Sequence, residues 1–139
     1  MLKKFKNDYK KIIFTTGSRK SSTARVRLKS WGNGKIYING KRLNEYFKSD
    51  EYQKLVLKPL ELTNSIGLYD VVVKVEGGGI SGQAGAISHG IARALAVLEP
   101  EKYRKVLKKA GLLRRDPREK ERMKYARSKR RRSWQYTKR

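Results

Sequence analysis

LYDVVVKVEGGGISGQAGAISHGIARALAVLE, residues 68–99, changes its period halfway along, and that change decides the fold. Val71, Val72, Val73 and Val75 crowd β-branched side chains into one short run, which predicts a strand over 68–77 in a central, covered position. Past the glycines, Ala84, Ile87, Ile91, Ala94, Leu95 and Leu98 recur at helical spacing and predict a helix with one apolar face. The other helix positions are mostly Gly, Ala and Ser, small enough to let it lie very close to a neighbouring backbone.

The junction itself, GGGISG at 77–82, matches G-x-G-x-x-G between a strand and a helix, the context of a dinucleotide loop. That reading needs a second parallel strand ending in an acidic residue about twenty residues on. Glu99 and Glu101 fall near that distance but flank Pro100 at a helix-to-helix junction, so a tight strand-to-helix turn is the better reading. Helix N-terminal amides at Gly78, Gly79 and Gln83 suit an RNA phosphate equally well. GKIYINGKR is no P-loop: five residues separate Gly34 from Gly40, and Arg42 stands where a hydroxyl is needed.

Outward from this centre, KKIIFTT (10–16) reads as a strand stopped by Gly17. STARVRLKSW alternates Ala24, Val26 and Leu28 with Arg25, Arg27 and Lys29, a half-buried strand with a basic outer face. GNG (32–34) predicts a hairpin into KIYI, and NG (39–40) a second turn. Residues 43–58 read as two short helical pieces, the second capped by Ser49 and Asp50 and ended by Pro59. Pro100 opens another helix with Tyr103, Val106, Leu107 and Ala110 inside and Gly111 as its stop. DPRE (116–119) is a cap motif and predicts a short helix near 117–124. The class is therefore α+β, a body over 1–112 followed by a basic extension over 113–139.

Charge narrows the function. The 139 residues include 36 basic and 12 acidic ones, a net charge of +24, and 37% are hydrophobic, enough for one modest core. Such self-repulsion calls for a polyanion, and nucleic acid gains affinity from cations that displace counterions. A membrane surface would favour one amphipathic helix with a basic face, whereas here the cations spread along the whole chain. With no cysteine and one histidine, disulfides, thiolate sites and His-rich zinc sites are excluded. No apolar run approaches the ~18 residues of a membrane span. The basic start has no apolar segment behind it, which predicts a protein of the cytoplasm or of a compartment that makes its own proteins. His89 lies off its helix's apolar stripe and reads as a hydrogen-bonding residue. The acids offer no nucleophile–base constellation. No catalytic, cofactor-binding or metal-binding residue is expected.

RNA contact is expected at two places besides the glycine run. GSRKSSTARVRL (17–28) gathers Arg19, Lys20, Arg25 and Arg27 with four hydroxyl side chains, a set suited to phosphates and ribose 2′-OH groups. The extension supplies Arg114, Arg115, Arg118, Arg122, Lys124, Arg127, Lys129, Arg130, Arg131 and Arg132, with Trp134 and Tyr136 able to stack on unpaired bases. An architectural DNA-binding protein is the competing reading, but no dimerisation surface or apolar wedge is evident. A nucleotide-using enzyme built on GGGISG ranks below both.

GGGISGQAGAISHGIARAL (77–95), with GSRKSSTARV (17–26), RRDPREKERMKY (114–125) and the terminal Lys-Arg, resembles the ribosomal small-subunit protein nine family, bacterial type. The likeness runs from about Ile13 to Arg139. It implies a mixed four-stranded sheet with a left-handed βαβ crossover, like domain 2 of ribosomal protein five. It also implies a place in the head of the small ribosomal subunit among ribosomal RNA and neighbouring head proteins. The family's C-terminal arm reaches the peptidyl site, so Lys138 and Arg139 would contact tRNA. Ser18, where the family usually has a basic residue, and the Trp134–Arg139 ending depart from its pattern.

Overall fold

Alternating apolar and polar residues lay down β1 (Ile12–Arg19) and β2 (Ser22–Lys29) as an antiparallel hairpin in the computed structural model, which describes residues 10–138. Lys20 and Ser21 form the tight turn, with Lys20 at φ 52°. There follow β3 (Ile36–Ile38), β4 (Lys41–Arg42), α1 (Leu43–Tyr46), α2 (Asp50–Leu62), β5 (Asp70–Glu76), α3 (Ile80–Leu98) and α4 (Pro100–Lys109). The fold is α+β with an open mixed sheet ordered β1-β2-β5-β3-β4, five strands rather than four because the two-residue β4 adds an edge. Asn39 and Gly40, both at positive φ, make the β3–β4 turn that their sequence predicts.

The expected hairpin between β2 and β3 does not form. Instead β5 enters between them, antiparallel to β2 and parallel to β3. Asp70 explains the insertion: its carboxylate accepts the amides of Asn33 and Lys35, both at 2.9 Å, and so fastens the GNG loop to the start of β5. Partial burial works against that charge, yet the two amides hold its pKa below the ordinary carboxylate value.

β5 is central, as its valines predict, but among the described residues it is covered on one face only. Val71, Val73 and Val75 are buried with Ala24, Val26 and Leu28 of β2 and Ile36 and Ile38 of β3, whereas Val72 is exposed. α2 and α3 lie on the buried side, where Val56, Leu60, Ile87, Ile91 and Leu95 complete the core. Each such side chain contributes roughly 1.5–3 kcal/mol by leaving water. In α4, Tyr103 and Leu107 point inward while Val106 and Ala110 face out. The buried Tyr69 and Tyr103 hydroxyls meet at 2.9 Å, and burial pushes the Tyr69 phenol upward in pKa.

Gly17 does not stop β1; the strand continues to Arg19. The glycine is required for contact, because a Cβ there would overlap the Ala86 carbonyl and the Gly90 amide of α3. Thr15 Oγ1 donates to the Gly90 carbonyl at 2.8 Å. The small residues of α3 thus bring helix backbone against strand backbone.

Two further expectations fail for local reasons. Pro59 lies inside α2, which continues to Leu62. Pro59 and Leu60 are both buried, so packing offsets the lost helical hydrogen bond. Residues 117–124 form no helix. Asp116 accepts the Arg118 amide at 3.1 Å and pairs with its guanidinium, and no apolar face is available to stabilise a turn of helix.

Candidate nucleic-acid interface

The β1–β2 turn, the start of α3 and the root of the C-terminal extension meet at one end of the sheet. Arg19 lies across α3, its side chain against Gly85, where a Cβ would leave no room for it. Its Nε is 3.3 Å from the Asp116 carboxylate. Arg115 donates to Ser18 Oγ and to the Lys20 carbonyl, both at 3.2 Å, and pairs with Glu119 at 3.0 Å. These contacts tie residues 115–119 to the hairpin turn. His89 adds another tie: its Nδ1 accepts the Ser18 amide at 3.3 Å, and its ring also bonds to the Leu113 backbone. Burial, with the Arg93 and Arg115 charges, lowers its pKa and keeps the imidazole neutral.

Beyond this root the extension makes contacts of its own. Glu121, the last acid in the chain, pairs with Lys124 and with Arg131 at 2.8 Å, while its carbonyl accepts from Arg130 at 2.6 Å. Hydrogen bonds from Lys124 and Arg131 hold the Glu121 pKa at about 2. Asp116 is held still lower, first by hydrogen bonds from Arg118. The chain reverses at 128–132, where Ser128 N donates to the Arg132 carbonyl at 3.0 Å and Arg127 pairs with Ser133. The extension therefore folds back there, with Glu121 gathering Lys124, Arg130 and Arg131 around it. Tyr125, Trp134 and Tyr136 are exposed, as are Arg114, Arg122, Lys129, Arg132 and Lys138. Arg139 lies outside the described residues.

At the glycine run the constrained positions are Gly77 and Gly78, both at positive φ and packed against Ser21 and Ser22. Gly79 has φ −96° and open space around its Cα, so the α3 N-terminus is approachable there. Gln83 is engaged within the chain: it donates to the Gly77 carbonyl at 3.1 Å and accepts from Tyr46 at 2.7 Å. Ser22 Oγ donates to the same carbonyl at 3.0 Å.

The second surface is the face of the sheet that carries no helix among the described residues. Arg25 and Arg27 project from it as their alternation predicts, and Arg25 pairs with Glu76 at 2.8 Å. Phe14, which charge-based reading passes over, stands beside Arg27 with the guanidinium 5.2 Å from the ring centroid. Its signal was its period-two alternation with the inward Ile13. Lys74 shares the surface, and Arg93 reaches around the β1 edge to the Thr16 carbonyl. The predicted cations thus divide into a cluster at the arm's root, where Arg19 and Arg115 have internal partners, a sheet-face pair, and the cations of residues 122–132 farther along the extension.

Two comparisons with known proteins bear on the chain's family. The family profile described as Ribosomal protein S9/S16 matches residues 17–139. The small ribosomal subunit protein uS9 of Thermotoga petrophila is 50% identical over 129 residues, covering 91% of this chain and 95% of that protein. With root, glycine turn and basic extension all inside the matched span, the chain belongs to the ribosomal protein S9/S16 family.

Proposed function

We propose that this protein is a structural constituent of the small ribosomal subunit, working in the cytoplasm as part of the ribosome. Its body, residues 1–112, binds ribosomal RNA in the head beside neighbouring head proteins. Its extension, 113–139, follows RNA to the peptidyl site, where Lys138 and Arg139 touch tRNA. The parallel β3-to-β5 crossover through α2 is left-handed in this reading. The supporting observation is that the family match runs through the extension to residue 139, a segment with no acid after Glu121. Cations without acids can lie against phosphate along their whole length and release its counterions. RNA contacts are assigned to Lys20, Arg25, Arg27, Gly78 and Gly79 on the body and to the exposed cations and rings of the extension. Arg19, Arg115 and Gln83 act chiefly by fastening the parts that carry those contacts.

The glycine run gives a nucleotide cofactor little support, since Ser22 and Gln83 already fill the turn and occupy the Gly77 carbonyl. Sucrose-gradient fractionation in low-magnesium buffer tests the proposal. The protein is expected in small-subunit particles; recovery with chromosomal DNA, and not with those particles, would refute it.

A further inference from the structure

We propose that the helix-free face of the sheet is a stacking platform for an unpaired RNA nucleotide. Phe14 is the ring under the base, and Arg25, Arg27 and Lys74 are the phosphate partners. This rests on the RNA-binding reading above and adds a ligand class to it, single-stranded rather than helical RNA.

Strand register places these side chains together. Phe14 is opposite Arg27, Arg27 opposite Val72, Val72 opposite Tyr37 and Tyr37 opposite Arg42, so one row crosses all five strands on one face. The next row holds Thr16, Arg25 and Lys74. Among the described residues no element covers this face, and Phe14 is 69% exposed although it lies mid-strand. Its contact with Arg27 still leaves most of the ring in water. The face also forms a shallow groove of about 690 Å³ whose walls include Phe14, Arg27, Val72, Lys74 and Arg93.

Chemistry selects the occupant. Arg27 over the Phe14 ring makes a joint π and guanidinium surface, the kind on which sheet-based RNA readers stack unstacked bases. Arg25, Lys74 and Arg93 surround it with positive charge. The acid in the neighbouring row, Glu76, is already held by Arg25 at 2.8 Å and approached by Lys74 at 3.7 Å. An apolar protein partner would have to desolvate Arg27 and a single carboxylate shared by two cations. A polyanion with a free base fits both components, and an intact duplex offers no free base.

The test titrates full-length protein with a short oligouridylate and with a blunt RNA duplex of equal length, at two salt concentrations. Phe14→Ala is expected to weaken oligouridylate binding by roughly five- to a hundredfold at both salts, the loss of one stacked base. Duplex binding should not change, and Phe14→Tyr should restore the wild-type value. A 4-thiouridine oligonucleotide should crosslink to the peptide containing Phe14. No loss on Phe14→Ala, an equal loss on both RNAs, or crosslinks confined to residues 113–139 would each overturn the platform. So would a Phe14→Ala defect in binding a head protein with oligouridylate affinity intact. Wild-type protein that enters small-subunit particles without any Phe14 effect refutes this inference alone; failure to enter them refutes the reading beneath it.

Discussion

Replacing Gly17 with Ala probes the contact on which the body is built. The new Cβ would collide with the Ala86 carbonyl and the Gly90 amide and would lie 2.8 Å from the Gly90 Cα. These are all backbone atoms of α3, which no side-chain rotation can move aside. Restoring ordinary carbon contacts of ~3.5–4 Å requires the helix to retreat by about 1 Å, a gap that forfeits up to half of each contact along the interface. Overpacking of this kind costs about 1–3 kcal/mol, and backbone against backbone belongs at the upper end. The Thr15 hydrogen bond to Gly90, 2.8 Å in the native protein, would lengthen as well, at about 1 kcal/mol. The expected loss is therefore ~3–4 kcal/mol, a large share of the ~5–15 kcal/mol that stabilises a typical domain. The melting temperature should fall by roughly 10–20 °C. Urea unfolding followed by far-UV circular dichroism measures the loss, with Gly79→Ala as the control. Gly79 has no neighbour for a Cβ and negative φ, so its variant should lose no more than the ~1 kcal/mol by which alanine caps a helix less well than glycine. A Gly17→Ala protein equally close to wild type would refute the backbone-to-backbone contact.

Other consequences are open to measurement. Glu121 has a folded pKa of about 2, so the stabilisation from its ion pairs is present above the unfolded value near 4.5 and is lost as pH falls between the two. Its carboxyl carbon should titrate near that low value by NMR, and an ordinary midpoint would mean that Lys124 and Arg131 do not hold it in solution. His89 behaves in the opposite sense to a cation gaining a partner: its pKa is lowered on folding, so the unfolded chain binds the proton first. Stability should decline as pH drops through ~6.5 and level off below the folded pKa; urea midpoints across that range should show it, and an unchanged slope in His89→Phe would contradict it. Deleting Thr137–Arg139 should leave the body folded and speed tRNA dissociation from programmed small subunits. Losing two cations should reduce the salt slope of tRNA binding by about 1–2, whereas identical rates at two salt concentrations would mean the tip touches no tRNA.

Much of the body was legible because its signals are local. The change from period two to period 3.6 at Gly77–Gly79 announces β5 and α3, and the alternation of Ala24, Val26 and Leu28 with Arg25, Arg27 and Lys29 announces β2 and both its faces. What sequence periodicity misses depends on partners distant in the chain. Gly17 looks like a strand stop until α3 lies on it, and β5 displaces an expected hairpin because Asp70 holds the loop at 32–35. Pro59 reads as a helix end until its buried neighbours are known, and a cap motif at 116–119 forms no helix without an apolar face to bury. The candidate interface divides the same way. Charge density locates the hairpin turn and the extension, but only geometry separates Arg19 and Arg115, which fasten the arm, from Arg25 and Arg27, which face outward. Phe14 carries no charge; alternation with Ile13 puts it on the outer face, but its place beside Arg27 emerges only once β1 is set beside β2.

A density map of the small ribosomal subunit at side-chain resolution tests the central claim most directly. The account predicts this chain in the head, with its extension leaving the body beside the Arg19–Asp116 pair and continuing along RNA to the peptidyl site. A particle lacking the chain, or one in which residues 120–138 stay folded on the protein's own body away from RNA, would contradict it.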